Sequence, residues 1–188
     1  MDSAPVAWGI LSDTPVGPLR LAWIPAGLVA LSFDDGPLET TAGPIRTDPD
    51  PEAVPTLYVD LLTRYFAGEP VDPAGLPAVI AGTAFQERVW RALRTVSRGQ
   101  VVTYGELAAR AGHPRSSRAV GAAMGRNPVA IVVPCHRVVA AGDRLGGYSG
   151  GLSRKRTLLR IEGFATVGDR LRPGQLAIDY PRRRATKR

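Results

Sequence analysis

Cysteine is nearly missing from this chain: Cys135 is the single one in 188 residues. An internal disulfide is therefore excluded. Histidine is almost as scarce, with His113 and His136 alone, so a zinc site of the usual Cys/His kind lacks ligands. No run of about 18 consecutive apolar residues occurs, which excludes a membrane-spanning helix. The opening Met1-Asp2-Ser3-Ala4-Pro5 lacks the basic stretch and apolar block of a secretory signal, so a cytoplasmic location is expected, nucleoid-associated if the source is bacterial. A structural metal is not expected.

Positive charge is scarce in the first half and abundant in the second. Residues 1–80 hold three basic side chains (Arg20, Arg46, Arg64) against eleven acidic ones, a balance of −8, whereas residues 81–188 stand at +15. The terminal cluster Arg182-Arg183-Arg184 and Lys187-Arg188 accounts for five of those charges, and without it the second half remains at +10. Such asymmetry places a polyanion-binding surface on the second half and favours nucleic acid as partner.

Hydrophobic patterning divides the chain at the same place. Trp8–Ser12, Leu19–Ile24 and Leu28–Phe33 read as strands, and the short turns between them make neighbours antiparallel. A Pro/Asp-rich loop follows over 34–55. Leu57, Leu61, Leu62, Tyr65 and Phe66 recur at helical spacing up to Gly68. The Pro-, Gly- and Ala-rich stretch 69–82 reads as an interdomain linker. Thr83-Ala84-Phe85-Gln86 is a capping box opening a helix whose Phe85, Val89, Leu93 and Val96 share a face. Val101-Val102 reads as a short strand, and Thr103-Tyr104-Gly105-Glu106 as a second capping box, for a helix ending at Gly112. A further helix, capped by Ser116 or Ser117, runs to Gly125. Two short helices around a tight turn are a helix-turn-helix pattern. A last helix is expected over Ser153–Glu162, and a disordered tail after Arg182.

Within this frame Ile131-Val132-Val133 delivers Pro134-Cys135-His136-Arg137-Val138. A thiol attacks only as its thiolate, which the nearby cations His136 and Arg137 would favour. On these residues alone, Cys135 is either a buried packing residue or a reactive nucleophile.

The combination of Arg118-Ala119-Val120-Gly121-Ala122-Ala123-Met124-Gly125-Arg126-Asn127-Pro128, Pro134-Cys135-His136-Arg137-Val138 and Gly147-Tyr148-Ser149-Gly150-Gly151-Leu152 resembles the O6-alkylguanine-DNA alkyltransferases. The resemblance is near continuous from Phe85 to Gly163. It implies an α+β fold: a small N-terminal antiparallel β-sheet domain with a helix, ribonuclease H-like, over 1–80, and a winged helix-turn-helix-like DNA-binding and catalytic domain over 81–180; the basic tail over 181–188 lies beyond the family's core motif. No cofactor is implied. It implies direct reversal of O6-alkylguanine in duplex DNA, with O4-alkylthymine as a further candidate, by single-turnover transfer of the alkyl group to Cys135 after base flipping.

The resemblance also implies site roles. Cys135 is the acceptor; His136 takes its proton through a water, oriented by Glu162; Asn127 holds the turn between the DNA-binding helix and an active-site strand; Tyr104 helps rotate the flipped nucleotide and donates a proton toward its ring. Arg118 fills the vacated stack. Ser116, Ser117, Ala119, Met124, Gly125 and Arg126 complete the DNA-binding set, and Val138, Tyr148, Ser149, Gly150 and Ala130 the base pocket. Double-stranded DNA carrying alkylated guanine is the implied partner, with no membrane and no required protein partner; cooperative self-association on DNA stays open. This chain departs from the family in two places. The zinc ligands of some relatives' N-terminal domains have no counterpart here, and Ala130 stands where some carry proline. The competing readings are a winged-helix or lesion-binding protein without transfer, and a cysteine hydrolase.

Overall fold

The computed structural model describes residues 6–33, 38, 40, 42, 45 and 54–172. Its first element is an antiparallel sheet of β1 (Ala7–Leu11), β2 (Leu19–Ile24) and β3 (Gly27–Phe33), in that order. The three strands lie within one residue of the expected positions. Period-two alternation gives the sheet two apolar faces. Leu19, Leu21, Leu31 and Phe33 enter the main core, while Ala22, Val29 and Ala30 meet Val6 in a smaller cluster behind.

Helix α1 (Thr56–Phe66) buries Tyr58, Leu62 and Tyr65. Its inward stripe thus starts at Tyr58, and Leu57, expected on that stripe, is 53% exposed. Stretch 69–82 connects the two halves, but as a strapped segment rather than a free linker. Asp72 caps a 3-10 turn at Pro73–Gly75, Leu76 is buried, and Leu28 pairs with Ala78. Arg94 holds the strap with bonds to the carbonyls of Ala74 (2.7 Å) and Leu76 (2.7 Å). Proline and glycine removed local periodicity here, while the long-range partners that fix the strap are invisible to a local reading.

Both predicted capping boxes form, at Thr83/Gln86 for α2 (Ala84–Arg94) and at Thr103/Glu106 for α3 (Tyr104–Arg110). Helix α2 buries Val89, Trp90 and Leu93; Val96 lies beyond its end, and Phe85 is only half-buried. Helix α4 (Ser117–Gly125) follows a turn through Arg115, whose φ is 74°; Ser116 takes the cap position without a side-chain bond. Trp90 Nε1 donates to the Ala123 carbonyl at 3.0 Å and locks α2 to α4.

The active-site strand expected after Asn127 is absent. Residues 129–134 make a tight reversal in which Ile131 adopts φ 69°, a conformation that β-branched residues rarely accept. The segment is instead tied to the N-terminal sheet: Leu31 N donates to Pro128 O (2.9 Å) and Ala130 N to Leu31 O (2.8 Å). β4 (Val102–Thr103) runs parallel to β5 (Val138–Val139), then come α5 (Leu152–Ile161) and a hairpin of β6 (Thr166–Val167) and β7 (Arg170–Leu171). The chain is therefore α+β, an antiparallel sheet with a helix followed by a largely helical unit. The predicted disorder after Arg182 and most of the 34–55 loop fall outside the described residues. Among the described residues no helix is long and apolar enough to cross a membrane.

Candidate active site

Cys135 opens a 3-10 turn, Cys135–Arg137, wedged between the Ile131 reversal and β5. Asn127, at the end of α4, governs this approach. Its Nδ2 donates to Val133 O (2.8 Å) and to Cys135 Sγ (3.2 Å), and its Oδ1 accepts from Val129 N (3.1 Å). One side chain therefore binds both limbs of the reversal and the sulfur, where an Asn in a turn can replace missing backbone pairing.

The side chains of His136 and Arg137 both meet Glu162 at the C-terminal end of α5. All three are buried, with His136 and Arg137 fully so and Glu162 only 2% exposed. His136 Nε2 lies 2.9 Å from Glu162 Oε1, and Arg137 grips the same carboxylate through Nε (3.0 Å to Oε2) and Nη2 (2.8 Å to Oε1). Burial pulls the Glu162 carboxyl upward, but His136 and Arg137 outweigh it and bring it down to about 2. The carboxylate is therefore ionised, and His136 Nε2 is the donor to it. The imidazole proton then resides on Nε2, which leaves Nδ1 as the free acceptor; Nδ1 is buried without a partner. Burial, only partly offset by Glu162, also lowers the His136 pKa, so the ring is neutral at pH 7.

This geometry corrects the expected electrostatics. Arg137 is consumed by Glu162 and by Asp72, at 2.8 Å, and His136 carries no charge, so neither stands as a cation beside the sulfur. Burial pushes the Cys135 thiol up; the Asn127 amide, the charge of Lys155 and the Tyr148 hydroxyl act against it. The resting group is a protonated thiol, and His136 in the same turn is neutral. Lys155 was hidden among the basic residues of α5. It is fully buried, its Nζ donates to Val138 O (2.6 Å), Gly147 O (3.3 Å) and Leu145 O, and burial lowers its pKa to about 8.

Cys135 opens into a cavity of about 210 Å³ formed with Tyr104, Gly121, Met124, Gly125, Gly147, Tyr148 and Ser149. That is below the several hundred Å³ of a drug-sized site and suits one flat ring. Tyr104 Oη reaches Gly147 O at 3.5 Å, and its ring lies against Gly121 and Gly146. A side chain at Gly146, where φ is 68°, would strain the backbone and press on Tyr104. Three other expected pocket residues are not among these lining residues. Val138 is buried and offers its carbonyl to Lys155, and Ala130 pairs with Leu31. Gly150 is small for a different reason than expected: a Cβ there would overlap the Phe33 and Tyr148 rings.

Helix α4, with Arg126 just after it, exposes Arg118, Ala119, Ala122, Gly125 and Arg126 on one face and buries Val120, Ala123 and Met124 on the other, and Met124 and Gly125 also border the cavity. Ser116 and Ser117 are half-buried at its start. The result is a narrow surface of small residues with an arginine near each end, reaching the cavity of Cys135 at Gly125.

Comparison with known proteins converges on one family. The descriptions "6-O-methylguanine DNA methyltransferase, ribonuclease-like domain" and "6-O-methylguanine DNA methyltransferase, DNA binding domain" match residues 8–78 and 84–164. The chain belongs to the 6-O-methylguanine DNA methyltransferase family. The methylated-DNA–protein-cysteine methyltransferase of Mycobacterium tuberculosis is 47% identical over 152 residues, covering 80% of this chain and 88% of that protein. The Salmonella typhimurium relative is 52% identical over 105 residues, 56% of this chain and 61% of its own. Among solved structures, the M. tuberculosis protein in complex with DNA superimposes with a TM-score of 0.74 at 44% identity, over 84% of this chain and 93% of that one. The methyltransferase of Pyrococcus kodakaraensis gives 0.59 at 28% identity, over 84% and 99%.

For this methyltransferase-family chain, Lys155, Arg137's structural role, Asp72 and Tyr65 escaped sequence reasoning. A buried lysine leaves one local signal: Lys155 sits three residues before Leu158, on the apolar side of α5. Asp72 and Tyr65 leave none, because their partners are 65 and 97 residues away.

Proposed function

We propose that this protein repairs O6-alkylguanine in duplex DNA by moving the alkyl group onto Cys135, once per molecule. The observation that carries the reading is the arrangement at Cys135: a buried thiol facing a base-sized cavity, bound by Asn127 and placed on the same turn as the His136–Glu162 pair. The methyltransferase names of its relatives and the DNA bound to a solved relative support it.

Residues 1–80 form the scaffold and strap, residues 81–180 bind DNA and carry the chemistry, and 181–188 extend the positive charge. The exposed small-residue face of α4 enters a groove of the duplex, and phosphate contacts from the basic half supply most of the affinity. Arg118 fills the stack left by the flipped nucleotide. The base enters between Tyr148, Ser149 and Met124, with the Ser149 amide toward O6 and the Cys135 carbonyl toward the exocyclic amine.

The thiol gives its proton, through a water, to His136 Nδ1, whose Nε2–H is held by Glu162. The thiolate attacks the alkyl carbon in line; the sulfur–carbon bond forms and the carbon–O6 bond breaks, leaving its electron pair on guanine. Tyr104 supplies the proton that guanine takes up, and the proton held by His136 returns to Tyr104 through solvent. The products are guanine and S-alkylcysteine, a thioether with no route back.

The test is stoichiometry. Duplex DNA with a labelled methyl on O6-guanine, in excess over protein, should give a burst of one methyl per chain and then stop. Cys135→Ala should bind the same DNA and transfer nothing. Continued turnover would refute the single-use reading, and binding without any transfer by the native chain would make it a lesion-binding protein.

A further inference from the structure

The carboxylate that orients His136 is completed from the other half of the chain. Tyr65, on α1, is fully buried, and its Oη donates to Glu162 Oε1 at 2.8 Å, the same oxygen that receives His136 Nε2 and Arg137 Nη2. We propose that Tyr65 is a positioning residue which holds the Glu162 carboxylate and, through it, sets the tautomer and basicity of His136. This rests on the transfer mechanism above for its consequence, but not for its physical content.

The polar and charged groups around the linked Glu162, His136 and Arg137 side chains come from every element packed against them. Tyr65 comes from α1, and Asp72 comes from the strap. Arg98, after α2, donates its backbone N–H to Asp72 Oδ2 (2.8 Å), and its guanidinium lies 6.0 Å from the Tyr65 ring centre. His136 and Arg137 come from the 3-10 turn, and Lys155 from α5. Gly99 N adds a weaker bond to Glu162 Oε2 at 3.4 Å.

Arg137 neutralises Glu162, but as a cation it also disfavours a second positive charge on His136. Tyr65 differs: it is a neutral donor, and it takes up part of the charge on Oε1 without adding a cation. A phenylalanine would keep the ring's edge contact with Phe66 and the same buried volume. The hydroxyl is thus the part of the residue that answers to Glu162. Without it, Oε1 would lean more heavily on the Nε2–H of His136, and the imidazolium would become easier to form. The N-terminal half then contributes directly to the relay, alongside its structural support.

The experiment uses the full chain and two changes at position 65 with opposite effects. Tyr65→Phe removes the donor, whereas 3-fluorotyrosine at the same position makes it stronger. Nitrogen-15 NMR on histidine-labelled protein reports the tautomer and titration of His136, one of two histidines. Tyr65→Phe should raise the His136 titration, and with it the acid limb of the transfer rate, by about half a pH unit or more; 3-fluorotyrosine should lower both. If both proteins are folded and His136 titrates as in the native chain, the proposal is overturned. A uniform drop in rate with no movement of the limb would equally overturn it and leave Tyr65 a packing residue. Should Tyr65→Phe fail to fold, the direction of the fluorotyrosine shift decides alone. Absence of transfer by the native protein would sink the repair reading while leaving the NMR result valid.

Discussion

Replacing Glu162 with Gln removes one charge and keeps the shape, so its effect on stability can be worked out. The carboxyl titrates near 2 in the folded protein against an ordinary 4.5. A depressed carboxylate stabilises the fold above its ordinary pKa, and that contribution disappears as pH falls through the folded value. At pH 7 the difference corresponds to about 3 kcal/mol, in line with breaking a buried ion pair, which costs roughly 3–5 kcal/mol. The amide cannot serve the five N–H and O–H groups that now converge on two carboxylate oxygens, and its own NH₂ would face a donor. Urea unfolding of both proteins between pH 7 and pH 3 measures the gap. It should be about 3 kcal/mol at pH 7 and shrink to less than half of that at pH 3. A gap that stays constant across this range would refute the reasoning, because the ionised carboxylate would then contribute nothing of its own.

Three further outcomes follow from the site. Asn127→Ala should cost about 2 kcal/mol and move the pH midpoint of Cys135 alkylation by iodoacetamide upward, since the amide that opposes the effect of burial is gone. Lys155→Met leaves three carbonyls of the 138–147 loop without their donor, at a cost of about 3 kcal/mol. The native chain's transfer rate should level off or fall above about pH 8, where Lys155 loses its proton, and a folded Lys155→Met protein should lack that limb. Arg118→Ala should slow repair of duplex DNA by about tenfold or more while leaving transfer from the free base O6-benzylguanine unchanged; equal loss on both substrates would contradict its role in flipping.

Much of the fold was legible because it is written locally. Strand alternation over Leu19–Ile24, both Thr-x-x-Gln/Glu capping boxes and the Gly-punctuated helix pair are short-range signals, and the structure bears out all three. The strap over 69–82 and the reversal at Ile131 were not legible. Each is stabilised by partners far away in the chain, Arg94 for the strap and Leu31 for the reversal, and β-branched Ile131-Val132-Val133 has the composition of a strand. The site shows the same limit in its charges. Arg137 beside Cys135 in sequence suggested a cation at the sulfur, but side chains on a 3-10 turn diverge, and the guanidinium goes to Glu162 and Asp72. Lys155, counted with the surface charge of α5, is the ammonium whose field reaches the thiol.

The most direct measurement is the fate of Cys135 itself. Native protein is incubated with duplex DNA carrying one O6-methylguanine, digested, and the peptide containing Cys135 is sequenced by mass spectrometry. The account predicts a gain of one CH₂ on Cys135 in step with restoration of guanine in the DNA. Restored guanine with an unmodified Cys135, or an intact lesion with the protein still bound to it, would contradict it.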